Sequence, residues 1–178
     1  MLCAAQVAYR LNTILPEAQP CQQQWQPIVQ QFWDAFKATR IDDVDARFFE
    51  VCVFDDNEPS ANHLAALVVR GIKCATAGLV WSFEAADQAV PKPGDLSVVT
   101  TWDGQPVCVI ETTQVDITPF AEVTAEFAAA EGEGDGSLQY WREVHTAYYA
   151  SECARLGRVA GPLMPVACER FKVVYALS

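Results

Sequence analysis

The chain has 178 residues, about the size of one domain, with 12 basic against 23 acidic side chains and a net charge of −11. Apolar residues make up 51% and charged residues 20%, a globular composition in a chain long enough to bury roughly 70% of its unfolded surface without disulfide or metal staples. No stretch approaches the ~18 apolar residues of a membrane-spanning helix, and the acidic balance argues against broad phosphate-backbone binding, which needs a basic face.

Seven cysteines are widely spaced, their number is odd, and no CxxC pair occurs, which removes zinc-ribbon and thioredoxin-type readings. Cys52 and Cys108 sit in apolar runs, where a free thiol behaves as a small hydrophobe. The expected setting is reducing and cytoplasmic. The first fifteen residues are apolar but lack a basic n-region, so no signal peptide is expected. Residues 1–20 read as a loosely attached extension, and 21–178 as a single domain.

In chain order, Trp25, Val29, Phe32, Trp33 and Phe36 recur at helical steps, with Pro27 near the first turn. Arg47–Phe54 reads as a strand. Ser60 is a candidate cap for a helix through Leu64, Leu67 and Val68, and Gly71 is its natural stop. Pro91–Asp95 is a turn cluster, Leu96–Thr101 a strand, and Asp103-Gly104 a hairpin signal before a long strand over Pro106–Ile117. Phe120–Ala130 is helical, and Gly132, Gly134 and Gly136 punctuate an acidic loop. Leu138–Leu156 is the clearest helix and Cys168–Tyr175 the last strand. That order predicts an α+β domain around a small, mostly antiparallel sheet or barrel.

Common catalytic signatures are missing: there is no HExxH, Walker loop, GxGxxG or GxSxG. His63 and His145 are far apart, and His145 falls among aromatic residues on the apolar side of a helix, where a satisfied core histidine is expected. Two features stand out. Gly71-Ile72-Lys73-Cys74-Ala75-Thr76 places an amine and a hydroxyl three residues apart just after a helix stop. The plainer reading is a solvated Lys and a strand Thr. In Glu131-Gly132-Glu133-Gly134-Asp135, flanking glycines let a carboxylate turn inward. Here the plainer reading is a solvated loop that caps the next helix. Spacing alone favours the plainer reading of both.

These stretches, with Pro93-Gly94-Asp95, Pro106–Thr113, Tyr140-Trp141-Arg142 and Cys168-Glu169-Arg170-Phe171, together resemble the ASCH family of the PUA-like superfamily over most of residues 25–175. The resemblance implies a small β-barrel surrounded by helices and a role with RNA or modified nucleosides. One type of smaller member is an amidohydrolase that converts N4-acetylcytidine to cytidine without a cofactor or metal. Its catalytic Lys, Thr and Glu map onto Lys73, Thr76 and Glu133, with Glu131 the alternative carboxylate if the loop register shifts. This chain is longer and has Ala77-Gly78 after the Thr, without the Arg those enzymes carry there.

The chemistry is coherent. The leaving nitrogen of an N4-acylcytidine delocalises into the pyrimidine ring, so a hydroxyl nucleophile with one base suffices. Thr76 would form an acyl-enzyme and Lys73 would take its proton or, charged, stabilise the oxyanion. Burial favours a neutral amine while a neighbouring carboxylate favours the ammonium, and these effects oppose. Glu133 would assist, or hold the cytosine N3 or exocyclic nitrogen. Trp81, Phe83 and Trp141 are candidates for the base slot. The expected partner is a small modified nucleoside, with no membrane. Competing readings are a non-catalytic RNA-binding module, which needs a basic groove from Arg40, Arg47, Arg70, Lys73 and Lys92, and a metal-independent ribonuclease.

Overall fold

The computed structural model describes residues 26–176; the expected N-terminal extension, Trp25 and the glutamines before it lie outside them. The first helix, α1 (Pro27–Lys37), starts on Pro27, whose missing N–H costs nothing in a first turn. After a short 3-10 turn comes β1 (Phe48–Cys52), then α2 (Glu58–Val69). Its N-cap is Asn57, not Ser60: the Ser60 backbone N–H donates to the Asn57 side chain at 3.1 Å. Glu58-Pro59 fills the first turn, so the helix begins three residues earlier than the Ser60 signal suggests.

A strand, β2 (Ala75–Leu79), runs directly into a short helix, α3 (Val80–Ala85); the strand Thr76 of the plainer reading lies in β2, but neither element's bounds are legible in the sequence. Then follow β3 (Leu96–Thr100) and β4 (Pro106–Pro119). The Phe120–Ala130 segment divides into a 3-10 turn and α4 (Ala125–Glu131), capped by the Thr124 hydroxyl. Last come α5 (Leu138–Arg155) and β5 (Pro165–Ala176).

The five strands form one sheet in the order β1-β3-β4-β5-β2. Only the β1–β3 pair is parallel. β1 and β2 are the two edges and no ladder joins them, so the expected barrel is an open sheet among the described residues. β3 is buried along its whole length because helices cover both of its faces. Leu96 and Val98 meet Val29, Phe32, Trp33 and Phe36 of α1. Val99, with Cys108, Ile110 and Phe171, meets Leu64, Leu67 and Val68 of α2. Each such side chain contributes roughly 1.5–3 kcal/mol on burial.

A third core lies under β2 and β5. There Ala75, Ala77, Leu79, Val166 and Cys168 pack on Phe127 of α4 and on Trp141, Tyr149 and Cys153 of α5. Since residues of a strand alternate between faces, this leaves Thr76 and Gly78 on the other side, the side that α2 covers further along the sheet.

Candidate active site

The segment between α2 and β2 is fixed by backbone hydrogen bonds. Gly71 adopts a left-handed conformation (φ 69°) that stops α2. The Ile72 and Lys73 N–H groups then donate to the Leu67 carbonyl. The Cys74 N–H donates to Ala130 O at 2.8 Å, docking the segment onto the end of α4, and the Cys74 carbonyl accepts from Phe171 N–H on β5. Lys73 is thereby delivered beside Glu131, the last residue of α4.

The acidic loop turns inward. Gly132 (φ 67°) ends α4 so close to the first segment that a Cβ there would lie 2.6 Å from the Ile72 carbonyl oxygen. Gly134 (φ 56°) passes against Tyr140, where a Cβ would lie 2.3 Å from the ring. Only glycine fits both approaches, and Glu133 between them is directed at Lys73.

Lys73 is buried, 1% exposed, and is not the solvated lysine of the plainer reading. Its Nζ donates to Glu133 Oε1 at 2.8 Å and to the Ala75 carbonyl at 2.7 Å, with Glu131 Oε2 at 3.4 Å. The ammonium also lies over the Phe54 ring, 5.1 Å from its centroid. Glu131 is wholly buried and its Oε1 accepts from the Trp141 indole N–H at 2.8 Å. Burial raises both carboxyls above their ordinary range, against the pull of Lys73. One ammonium faces two carboxyls, so the cluster is neutral only when one of them holds a proton.

His145 stacks on Trp141 with ring centroids 4.0 Å apart and is pushed down to about 4 by burial. Its Nδ1 lies 2.9 Å from the Trp141 carbonyl, which assigns the N–H to that nitrogen. Nε2 faces Glu131 Oε1 at 3.9 Å and makes no hydrogen bond among the described residues. The expected satisfied core histidine is thus buried but satisfied on one side only.

Thr76 is half-buried at the start of β2, directly opposite Glu169 of β5 in the antiparallel ladder. Paired residues of a ladder project from the same face, with Cβ atoms roughly 4.5–5.5 Å apart. The Thr112 hydroxyl of β4 donates to Glu169 Oε1 at 2.6 Å. On the same face, Glu50 of β1 pairs with Ser97 of β3. A polar row therefore crosses the α2 side of the sheet beside the apolar α2 core. Burial pushes the Glu169 carboxyl up to about 7, reinforced by Glu50 and Asp95 and opposed by Thr112 and Lys73. Sequence reading gave Glu169 no role. Its one signal was its place in the Cys168-Glu169-Arg170-Phe171 stretch that carries the family resemblance.

Of the candidate slot residues, Phe83 lies over Gly78, two residues beyond Thr76 on the same face; a Cβ on Gly78 would meet its ring at 2.7 Å. Trp81 packs toward the α5 core with the Arg158 guanidinium over its ring at 4.7 Å. Trp141 is 3% exposed and stacks on Phe120 as well as His145. It also lines a shallow cleft with Glu133, Ser137 and Tyr140.

The structure thus joins Lys73 to Glu131 and Glu133, while Thr76 lies on β2 opposite Glu169, on an open mixed sheet wrapped by helices. The ASCH domain family model matches residues 50–175, and the chain belongs to that family. Among solved structures it is similar to the ASCH domain from Lactobacillus crispatus JV V101, at 36% identity and a TM-score of 0.80, covering 86% of this chain and 98% of that one. It is also similar to a protein from Enterococcus faecalis V583, at 31% identity and a TM-score of 0.73, covering 85% of this chain and 95% of that one. No curated protein is significantly similar to it. No helix of the described residues is long and apolar enough to cross a membrane.

Proposed function

We propose that this ASCH domain is an amidohydrolase that removes the N4-acyl group from N4-acylated cytidine, with Thr76 as nucleophile and Lys73 and Glu133 as its proton-transfer partners. The observation that carries this reading is the 2.8 Å contact of the buried Lys73 Nζ with the half-buried Glu133, anchored on the carbonyl next to Thr76. A lysine kept out of water between two carboxyls is costly to hold and serves proton transfer better than packing.

The Thr76 hydroxyl attacks the acyl carbonyl and gives its proton to Lys73, which passes one of its own to Glu133. Glu133 is then the base and Lys73 the relay that also faces the oxyanion. A raised carboxyl is a stronger base than an ordinary one, which suits the role. Glu131, tied to Trp141 and shut off from solvent, holds Lys73 in place. Phe83, whose ring lies over Gly78 on the Thr76 face of β2, would form one wall for the pyrimidine.

Electrostatics favour a small neutral substrate over long RNA. Of the basic residues that a nucleic-acid groove would need, Arg40 is paired with Asp42, Arg47 with Asp42 and Glu111, and Lys73 with two glutamates.

The test is ultraviolet absorbance of N4-acetylcytidine mixed with the protein or with its Thr76→Ala variant. Conversion to cytidine by the unaltered protein is expected, with a loss of about 10³-fold or more in Thr76→Ala. Equal rates for both proteins would remove Thr76 as the nucleophile.

A further inference from the structure

We propose that Glu169 is the residue that reads the N3–N4 edge of the cytosine ring and protonates the leaving base, a role that rests on the amidohydrolase reading with Thr76 as nucleophile. Three observations place it there. Glu169 is opposite Thr76 in the β2–β5 ladder, so both side chains rise from one face. Its Oε1 takes the Thr112 hydroxyl at 2.6 Å, and no other hydrogen bond reaches its carboxyl from the described residues. It also has no cation of its own: the ion pairs of Lys73 go to Glu131 and Glu133.

The groups facing it are Glu50 from β1, Asp95 before β3, Thr112 from β4 and Lys73 before β2. Two of these are carboxyls, which favour a proton on Glu169, and burial acts in the same direction. With Oε1 accepting from Thr112, the proton belongs on Oε2. A neutral carboxyl so oriented presents one donor and one acceptor side by side. The edge of an N4-acylcytosine presents the complement: N3 accepts and the N4–H donates. Uracil, with an N3–H donor, does not match.

The acyl carbon and N3 are separated only by N4 and C4, a span suited to neighbouring side chains on adjacent strands. As the Thr76 oxygen bonds to the acyl carbon, the acyl–N4 bond breaks and its electron pair moves into the ring. N3 takes the Oε2 proton, so the base departs neutral as its imino tautomer. The Glu169 carboxylate then carries a proton from N3 to N4 to give cytidine. In the second half, a water gives its hydroxyl to the acyl group and its proton to Glu169. The Thr76 oxygen recovers its proton from Glu133 through Lys73, and both carboxyls return to their starting states.

The experiment compares the unaltered protein and Glu169→Gln on N4-acetylcytidine and on N4-acetyl-3-deazacytidine, which lacks the N3 acceptor, across pH 5–9. Glutamine keeps a donor and an acceptor but has no proton to transfer. Glu169→Gln should keep KM within about twofold and lose roughly 100-fold in kcat, the scale of a general acid, together with the fall in rate above pH 7. The 3-deaza substrate should be slowed to a similar degree with the unaltered protein, which settles the matter if the variant fails to fold. A Glu169→Gln enzyme with unchanged kcat and pH profile, or a 3-deaza substrate turned over at the normal rate, overturns the proposal. If the unaltered protein hydrolyses no N4-acylcytidine, the amidohydrolase reading fails, and calorimetric binding of cytidine against 3-deazacytidine decides the edge separately. Preference for cytidine that weakens above pH 7 upholds Glu169 as the reader, and equal binding removes it.

Discussion

Glu131 is fully buried and Glu169 is part-buried, and the surroundings of the two carboxyls differ in kind. Glu131 has an ammonium at 3.4 Å and an indole N–H at 2.8 Å, so both of its oxygens have partners. Glu169 has one hydroxyl, and further carboxyls nearby. Burial disfavours the charge on each, but only Glu131 is compensated by an ion pair. Satisfaction on every side marks a residue that holds others in position, and one open oxygen marks a residue that can act.

Breaking the compensated side should have the largest effect. Lys73→Met leaves Glu131 and Glu133 facing each other without a cation and should cost about 3–5 kcal/mol, read from urea denaturation at pH 7. A midpoint equal to that of the unaltered protein would mean the carboxyls neutralise themselves without help. Gly132→Ala comes next. It combines a left-handed backbone with a Cβ 2.6 Å from the Ile72 carbonyl, so a loss of ~1–3 kcal/mol and withdrawal of Glu133 from Lys73 are expected. Circular dichroism melts check the first effect and a crystal structure the second. Trp141→Phe removes one hydrogen bond from Glu131 while keeping the stack, for roughly 1–3 kcal/mol. An unchanged melting temperature would show that the indole N–H is dispensable.

His145 sharpens the comparison through pH. Its folded pKa of about 4 lies below the ordinary 6.5, so the unfolded chain binds more protons between those values. Stability from this group is therefore present above pH 6.5 and lost as pH falls toward 4. The raised carboxyls of Glu131, Glu133 and Glu169 act in the opposite sense, gaining stability on acidification. His145→Leu should remove the first contribution alone, so the variant should lose less stability than the unaltered protein between pH 7 and 5. Parallel curves would contradict the assignment. The smallest effect expected is that of Asn57→Ala, which removes the α2 cap for about 1 kcal/mol without touching either carboxyl.

Long periodic elements were legible in the sequence: α1, α5, β3 and the long β4 follow from residue spacing, and Gly71 does stop α2. β2 was not, because Ala-Thr-Ala-Gly-Leu is short, carries one β-branched residue and alternates only through small side chains. Its strand character comes from pairing with β5 along all five residues. Lys73 and the acidic loop each looked solvated by spacing alone. Their burial depends on the Cys74–Ala130 hydrogen bond, which joins segments more than fifty residues apart and leaves no local trace. Glu169 stood in the sequence only as a motif residue for the same reason: its partner Thr76 lies in the strand opposite. The family resemblance, by contrast, was carried by motifs read in order, two of which, Gly71–Thr76 and the acidic loop, meet at Lys73.

The most direct measurement is the absorbance change of N4-acetylcytidine under the unaltered protein, with Thr76→Ala beside it. Conversion to cytidine by the first and not by the second is the expected result. No conversion of N4-acetylcytidine or its longer acyl homologues by well-folded protein would contradict the amidohydrolase reading outright.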